Sequence, residues 1–346
     1  MFTLYTTEDN LIQICLEEDF WFDIIQKQET VYIKTSSDNG EWDNNNPILT
    51  NLHRSGTKIE VNNQLDEEIR NDHSKVYSLS NPVYLINIEK NDANEIEEEY
   101  GVICKPIEES NNIALVEQGW EIDTADDYKK QSWNYFLSDI HVPMNAIVIV
   151  DRYFFSSEKN KTNATLNETL DDSYSNLEQI LEALLPQKAK DGVITITLVY
   201  DHEQLHKDEI LEFKDLVTKT NKIKKKINRP YAYTLELISL NSDCYQYKET
   251  HDRFIISNYF IVNATHKIKA YRPNNVSLVN QNIYFNYLFS KGIKPNDKSS
   301  MPITTQTRVL KAISESISTS KKSIKYGCNG ITSDNDNFSI KNRLFS

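Results

Sequence analysis

The chain has 346 residues, of which 39% are hydrophobic and 26% are charged. This length is enough for two ordinary domains with a substantial core, and the composition excludes a disordered or fibrous protein. No apolar run approaches the roughly 20 residues of a membrane-spanning helix, so we expect no membrane contact. Residues Met1–Asp9 lack the basic and apolar regions of a signal peptide, and the four cysteines are scattered without a CxxC pair. These features predict a cytoplasmic protein with reduced thiols.

The formal net charge of −13 is divided unevenly along the chain. Residues 1–150 hold 10 Lys and Arg against 29 Asp and Glu, whereas residues 151–346 hold 28 against 22. The acidic half will repel a polyanion over its general surface, and we expect it to dock a protein partner if it docks anything. The mildly basic half can accept nucleic acid. A simple difference between two solvated surfaces is the alternative interpretation.

The first 140 residues give short and irregular signals. Alternation predicts strands in segments 29–34, 76–79, 82–88, 102–104 and 113–116. A Glu-rich stretch from Ala93 to Tyr100, followed by Gly101, predicts a helix. We therefore expect an acidic α+β domain here.

A regular order of strands and helices begins near residue 145. Apolar runs predict strands at 146–150, 193–200, 233–238 and 254–257, with amphipathic helices at 175–185 and 208–227 between the first three. Segments 282–289 and 308–317 are expected to be closing helices. The order predicts an α/β fold with a mixed, mainly parallel sheet and flanking helices. If the strand at 254–257 runs antiparallel, its start meets the carboxyl end of strand 146–150, where such sheets bind ligands.

The sequence Thr250-His-Asp-Arg-Phe-Ile-Ile-Ser-Asn258 combines this strand with reactive side chains. His251 and Arg253 share one face by the period of two, and Asn258 follows the apolar run. A histidine beside a cation at a strand end can face a phosphate. Asp151 and Arg152 directly follow the first strand and are additional candidates for phosphate binding.

This arrangement resembles one repeat of the phospholipase D-like superfamily, whose HKD motif reads His-x-Lys-x4-Asp. The resemblance covers roughly residues 145–290, and the motif maps onto His251, Arg253 and Asn258. It implies that His251 attacks phosphorus and that Arg253 binds phosphate oxygens, a task that guanidinium retains after a Lys-to-Arg exchange. Asn258 stands where the family has an aspartate, so it can form hydrogen bonds but lacks the charge.

Active members of that superfamily use two histidines, one to attack and one to protonate the leaving oxygen. The other candidates in this chain are His266 and His73, and a homodimer that pairs two copies of His251 is the third route. The spacing of His202 and His206 lacks the glutamate of a zinc helix, so we expect no metal and no other cofactor.

The sequence thus predicts three segments: an acidic α+β domain over residues 1–140, a phospholipase D-like domain over 141–320 and a polar tail over 321–346. The expected function is binding or metal-independent cleavage of phosphodiesters, with nucleic acid as the substrate, as in a prokaryotic defence or toxin effector. A non-catalytic phospholipase D-like scaffold that docks a protein partner, and an unrelated fold, remain the alternatives.

Overall fold

The computed structural model describes residues 2–17, 20–26, 30–43, 45–111, 113–123, 133–155, 166–201, 212–240, 253–265, 268, 282–290, 301–319, 324–333 and 338–345. The chain divides into two compact units. The first comprises residues 1–116 with the short segment Val142–Asn145, and the second comprises Glu117–His141 and Ala146–Phe345. Both units are α/β structures built on a central sheet.

The first unit contains a parallel sheet of five described strands in the order β3-β2-β1-β4-β5. The strands are β1 (Thr3–Thr7), β2 (Thr30–Lys34), β3 (Lys58–Val61), β4 (Pro82–Ile86) and β5 (Ile103–Pro106). The helices are α1 (Glu8–Glu17), α2 (Phe20–Ile25), α3 (Pro47–Arg54), α4 (Leu65–Asn71) and α5 (Lys90–Tyr100). The α+β prediction is therefore wrong, because helices separate successive strands and each connection is a parallel crossover.

Several local predictions for this unit also need correction. Segments 76–79 and 113–116 were expected to be strands, but short 3-10 helices occupy His73–Tyr77 and Ala114–Val116. The helix before Gly101 is confirmed, and Gly101 ends it with a left-handed φ of 62°. A side chain at Gly101 would collide with the backbone of Met144, so both the turn and the close approach require glycine.

The second unit contains a mixed sheet of nine described strands in the order β14-β13-β9-β8-β7-β10-β11-β12-β6. The strands are β6 (Trp120–Asp123), β7 (Ala146–Val150), β8 (Thr195–Asp201), β9 (Thr234–Leu240), β10 (Arg253–Ser257), β11 (Phe260–Ala264), β12 (Asn282–Tyr287), β13 (Lys325–Cys328) and β14 (Ile331–Ser333). The helices are α6 (Trp133–Phe136), α7 (Leu166–Leu184), α8 (Phe213–Lys226) and α9 (Pro302–Thr319). Strands β7, β8 and β9 are parallel, and β10 is antiparallel to β7. The predicted mixed sheet with flanking helices is confirmed, but the expectation that it is mainly parallel is wrong, because the other described pairings in this sheet are antiparallel.

The sheet of the second unit is covered on both faces. One face packs against α9 through a core that includes Val148, Ile238, Val309 and Ile313. The other face holds α8, whose Val217 side chain lies so close to Gly327 of β13 that a Cβ there would overlap it. Two covered faces explain why β7 is a continuous apolar run and why β8 and β9 are buried along almost their whole length.

Two predictions for the second unit differ from the structure. Segment 282–289 was expected to be a helix, but β12 occupies most of it and pairs with β11 and β6. The segment 321–346 was expected to be a polar tail, but β13 pairs with β9 and β14 pairs with β13. Because β6 and β13 lie in the same sheet as β7, the predicted boundaries at residues 140 and 320 do not separate structural units.

A buried glutamate fixes the C-terminal segment to this sheet. Glu236 of β9 is fully buried, and its carboxyl group accepts hydrogen bonds from Thr197 Oγ1 (2.8 Å), Tyr326 Oη (2.6 Å) and the Lys341 backbone N–H (2.8 Å). Asn342 is also buried, and its amide nitrogen donates to the Ile147 carbonyl at 2.8 Å. Burial and the neighbouring glutamate raise the pKa of Tyr326, so the phenol stays protonated and donates.

We expect Tyr326→Phe to lower the free energy of unfolding by about 1.5–3 kcal/mol, because the buried carboxyl group loses one of its three donors. Urea denaturation at neutral pH measures this loss. Tyr135→Phe is the matched control, since that ring is 66% exposed and its change should stay within about 0.5 kcal/mol. Equal stabilities of the two variants would contradict an anchoring role for the Glu236 network.

Candidate functional site

The direction of β10 brings the start of the motif strand to the carboxyl ends of the parallel strands. Phe254 lies opposite Val150 and Ser257 lies opposite Ile147, so the residue before Phe254 faces the residue after Val150. These residues are Arg253 and Asp151, and the Arg253 Nε atom lies 3.8 Å from Asp151 Oδ1. The predicted meeting of the motif strand with the carboxyl edge is therefore confirmed for Arg253.

A tight turn after β7 positions the acidic member of this pair. The Phe154 N–H donates to the Asp151 carbonyl at 3.0 Å, which closes a four-residue turn. Asp151 Oδ1 accepts from the Tyr153 N–H at 2.9 Å, as aspartate commonly does in turns. Asp151 Oδ2 accepts from the Ile268 N–H at 3.0 Å. The carboxylate is buried, and these bonds fix its orientation.

A second ion pair lies at the end of β8. Arg152 Nε donates to Asp201 Oδ2 at 3.0 Å, and the backbone N–H of Asp201 donates to the Arg152 carbonyl at 3.2 Å. The same two residues are thus joined through both backbone and side chains. The Asp201 side chain is 1% exposed, whereas that of Arg152 is 20% exposed. The carboxylate anchors the guanidinium from within the protein.

The two guanidinium groups converge on one aromatic ring. The Arg152 Cζ atom lies 5.7 Å and the Arg253 Cζ atom 5.3 Å from the centroid of the Tyr153 ring. Both distances fall within the range of cation–π attraction. We call Asp151, Arg152, Tyr153, Asp201 and Arg253 the edge cluster. Its two carboxylates are buried and its arginines are partly exposed, so the solvent-facing side of the cluster is cationic.

Aromatic side chains form a neutral layer next to the edge cluster. The Phe155 ring contacts Tyr174 and Tyr200, with centroid distances of 5.7 Å and 4.9 Å. Burial raises the pKa of both tyrosines, so their phenols remain uncharged. A layer of low polarity strengthens the electrostatic interactions of the neighbouring ion pairs.

The structure separates Arg253 from another residue of the motif. Asn258 follows the far end of β10, roughly 16 Å along the strand from Arg253. Its side-chain oxygen accepts from the Ala146 N–H at 2.9 Å, so Asn258 secures the start of β7. The sequence-based assignment of Asn258 to the reactive group is therefore replaced by a role in joining two strands.

The candidate histidines are distributed differently. His251 and His266 lie outside the described residues. His73 belongs to the first unit, where its Nδ1 atom lies 3.8 Å from Glu95 Oε1 and its ring meets the Tyr100 ring edge-on. Its surroundings are an acidic helix and a tyrosine.

Sequence reasoning missed Tyr153 and Asp201 as members of the site. The sequence indicates Asp151 and Arg152 as phosphate-binding candidates but neither Tyr153 nor Asp201. The position of both residues was a usable signal, because Tyr153 and Asp201 lie at or just after the end of a strand in the predicted parallel sheet. Arg152 follows β7 and Asp201 ends β8, and these two strands are adjacent, so an ion pair between Arg152 and Asp201 is the first to consider.

Comparison with protein-family models, with curated proteins and with solved structures finds no match for this chain. Within the described ranges, no helix is both long and apolar enough to cross a membrane. The same ranges contain no group of three or more His, Cys, Asp or Glu side chains placed to hold a metal ion. The functional interpretation therefore depends on the geometry of the edge cluster.

We expect Asp151→Asn to lower the free energy of unfolding by about 1–3 kcal/mol, because an amide offers only one acceptor oxygen to the two backbone N–H donors of Tyr153 and Ile268. Chemical denaturation measures the change. Asp139→Asn is the control, because Asp139 is exposed. A loss no larger than that of Asp139→Asn would contradict the anchoring role of Asp151.

Proposed function

We propose that the edge cluster binds the phosphate of a phosphodiester, that nucleic acid supplies this group and that His251 cleaves it. One observation carries the proposal: two arginines from distant parts of the sequence converge on Tyr153 at the carboxyl edge of the parallel strands. This edge is where ligands of α/β sheets bind. The excess of Lys and Arg over residues 151–346 supports a polyanionic partner.

The two guanidinium groups suit a phosphodiester in geometry and charge. Each guanidinium has five N–H donors in a planar fork. One donor of Arg152 bonds to Asp201, and one donor of Arg253 bonds to the Thr265 carbonyl at 3.2 Å. Phosphate oxygens are acceptors that such forks bind in bidentate fashion. Because buried carboxylates hold both arginines before the ligand arrives, little conformational freedom is lost on binding.

The chemistry follows from the resemblance to phospholipase D-like proteins. His251, two residues before Arg253, attacks phosphorus and forms a phosphohistidine while the ester oxygen departs. Water then attacks phosphorus and releases the histidine. The arginines stabilise the negative charge that develops on the non-bridging oxygens in both steps. The histidine and the two arginines carry out these steps by metal-independent catalysis.

A specific observation favours a second candidate function, that of a non-catalytic scaffold. Each arginine of the edge cluster already interacts with a buried carboxylate, an arrangement that also serves to join β7, β8 and β10. In this case the sheet docks a protein partner, and the ion pairs only stabilise the fold.

We expect Arg253→Ala to weaken the binding of a single-stranded oligonucleotide by about 10-fold or more, because a hydrogen bond to a charged group is worth about 1.5–3 kcal/mol. The slope of log K against log salt should fall by about one. Arg253→Lys should give an intermediate loss, since it keeps the charge without the fork. Fluorescence anisotropy over a salt series measures the affinities of both variants and the salt slope.

Lys311→Ala is the charge-matched control, because Lys311 lies on α9 and is 73% exposed. Cleavage of single-stranded DNA, duplex DNA and RNA is followed in EDTA for the wild type and His251→Ala. Loss of cleavage with retained binding in His251→Ala supports His251 as the nucleophile. Cleavage that survives His251→Ala contradicts it, and binding without cleavage by the wild type contradicts only the proposed cleavage, whereas the absence of both binding and cleavage favours the scaffold. Equal salt slopes for Arg253→Ala and Lys311→Ala would exclude the edge cluster as the phosphate site.

A further inference from the structure

We propose that Tyr153 is a catalytic residue that gives a proton to the leaving oxygen. This inference rests on the proposed function and names the proton donor that a single histidine leaves unassigned. It places the donor in the same chain, so the reaction needs neither a second histidine nor a second copy of His251.

The composition of the edge cluster points to this residue. Arginine does not release its protons in proteins, so Arg152 and Arg253 bind charge but transfer none. Asp151 accepts hydrogen bonds from two backbone N–H groups, and Asp201 accepts one from Arg152. Tyr153 is the one member of the cluster with an O–H group, and a phenol serves as a general acid in enzymes.

The position of Tyr153 fits the same role. Its backbone N–H is held by Asp151 Oδ1 at 2.9 Å, inside the turn that follows β7. The guanidinium carbon of Arg152 lies 5.7 Å from the centroid of the Tyr153 ring, and that of Arg253 lies 5.3 Å from it. Both guanidinium groups contact the Tyr153 side chain. A phosphate bound in bidentate fashion by either of them therefore lies within reach of Tyr153. The side chain is half-buried, so a ligand at this edge can meet it.

The proton transfers balance over the two steps. In the first step the histidine nitrogen bonds to phosphorus, the bond from phosphorus to the ester oxygen breaks, and the Tyr153 proton moves to that oxygen. In the second step a water oxygen bonds to phosphorus and the bond from phosphorus to nitrogen breaks. The water proton returns to the Tyr153 phenolate, which restores the phenol.

The test compares two phosphodiesters that differ in their need for a proton. An oligonucleotide releases an alcohol, which needs protonation, whereas bis(p-nitrophenyl) phosphate releases p-nitrophenolate, which does not. We expect Tyr153→Phe to slow oligonucleotide cleavage by about 100-fold or more. The first-turnover burst of p-nitrophenolate, measured with enzyme in excess, should stay within about 3-fold of the wild type. His251→Ala should lose both reactions, and Tyr135→Phe should lose neither.

Tyr153→Phe keeps the ring that both guanidinium groups contact, and oligonucleotide binding together with urea denaturation verifies that the site is intact. Oligonucleotide cleavage at the wild-type rate by Tyr153→Phe overturns the assignment of Tyr153 while cleavage by the wild type still supports the proposed function. Equal losses on both substrates also overturn it, because they indicate a positioning role. A wild type that is inert on both substrates overturns the proposed cleavage and the Tyr153 assignment together.

Discussion

The antiparallel placement of β10 between β7 and β11 is the constraint on which the rest of the site depends. Its register sets Phe254 against Val150, and this pairing alone brings Arg253 beside Asp151. A slip of one residue would turn every side chain of β10 to the other face of the sheet. Phe254, Ile255 and Ile256 are all buried, so such a slip would also disrupt the packing on both faces. The hydrophobic core thus fixes the position of a polar site that lies outside it.

Charge pairing at this edge explains how the fold tolerates four ionisable groups close together. Two guanidinium groups near one ring repel each other, and two buried carboxylates are costly unless each has a partner. Asp151 pairs with Arg253 and Asp201 pairs with Arg152, so each charge has an opposite neighbour. The outcome is asymmetric, because the negative charges lie inside and the positive charges face outward. An anion from solvent therefore meets the guanidinium groups first.

Four of the nine described strands of the second unit, β7 to β10, were predictable because their signals are strong and local. Length and period identify strands β7, β8 and β9 and the amphipathic helix α7 in the sequence. The hairpin of β13 and β14 also had a signal, since Asn329-Gly330 is a typical two-residue turn and both residues have positive φ. The flanking strands are short and polar, so the hydrophobic pattern that would identify them is weak. Strand β12 was read with the wrong period, although Ile283, Phe285 and Tyr287 alternate with polar residues.

The contacts within the site were less accessible to sequence reasoning. Direction and register decided that Arg253, and not Asn258, joins Asp151, and neither is encoded by the spacing of the motif. The capture of Asn258 by the Ala146 N–H is a tertiary interaction between residues 112 positions apart. The position of Tyr153 between two guanidinium groups likewise depends on a turn and two ion pairs that form only in the folded chain.

Each unit has an edge at which parallel strands end, and the chemistry of the two edges differs. In the first unit, β1 leads directly into α1, whose first turn contains Glu8 and Asp9. A helix N-terminus attracts anions, but here two carboxylates already supply the negative charge, and Glu8 also accepts from the Asp43 N–H at 2.9 Å. Lys34 and Arg70 at that edge both pair with Asp66. Glu67 also pairs with Lys34, so this edge holds more carboxylates than cations. The edge cluster of the second unit has equal numbers of both, and the phosphodiester proposal therefore belongs to the second unit.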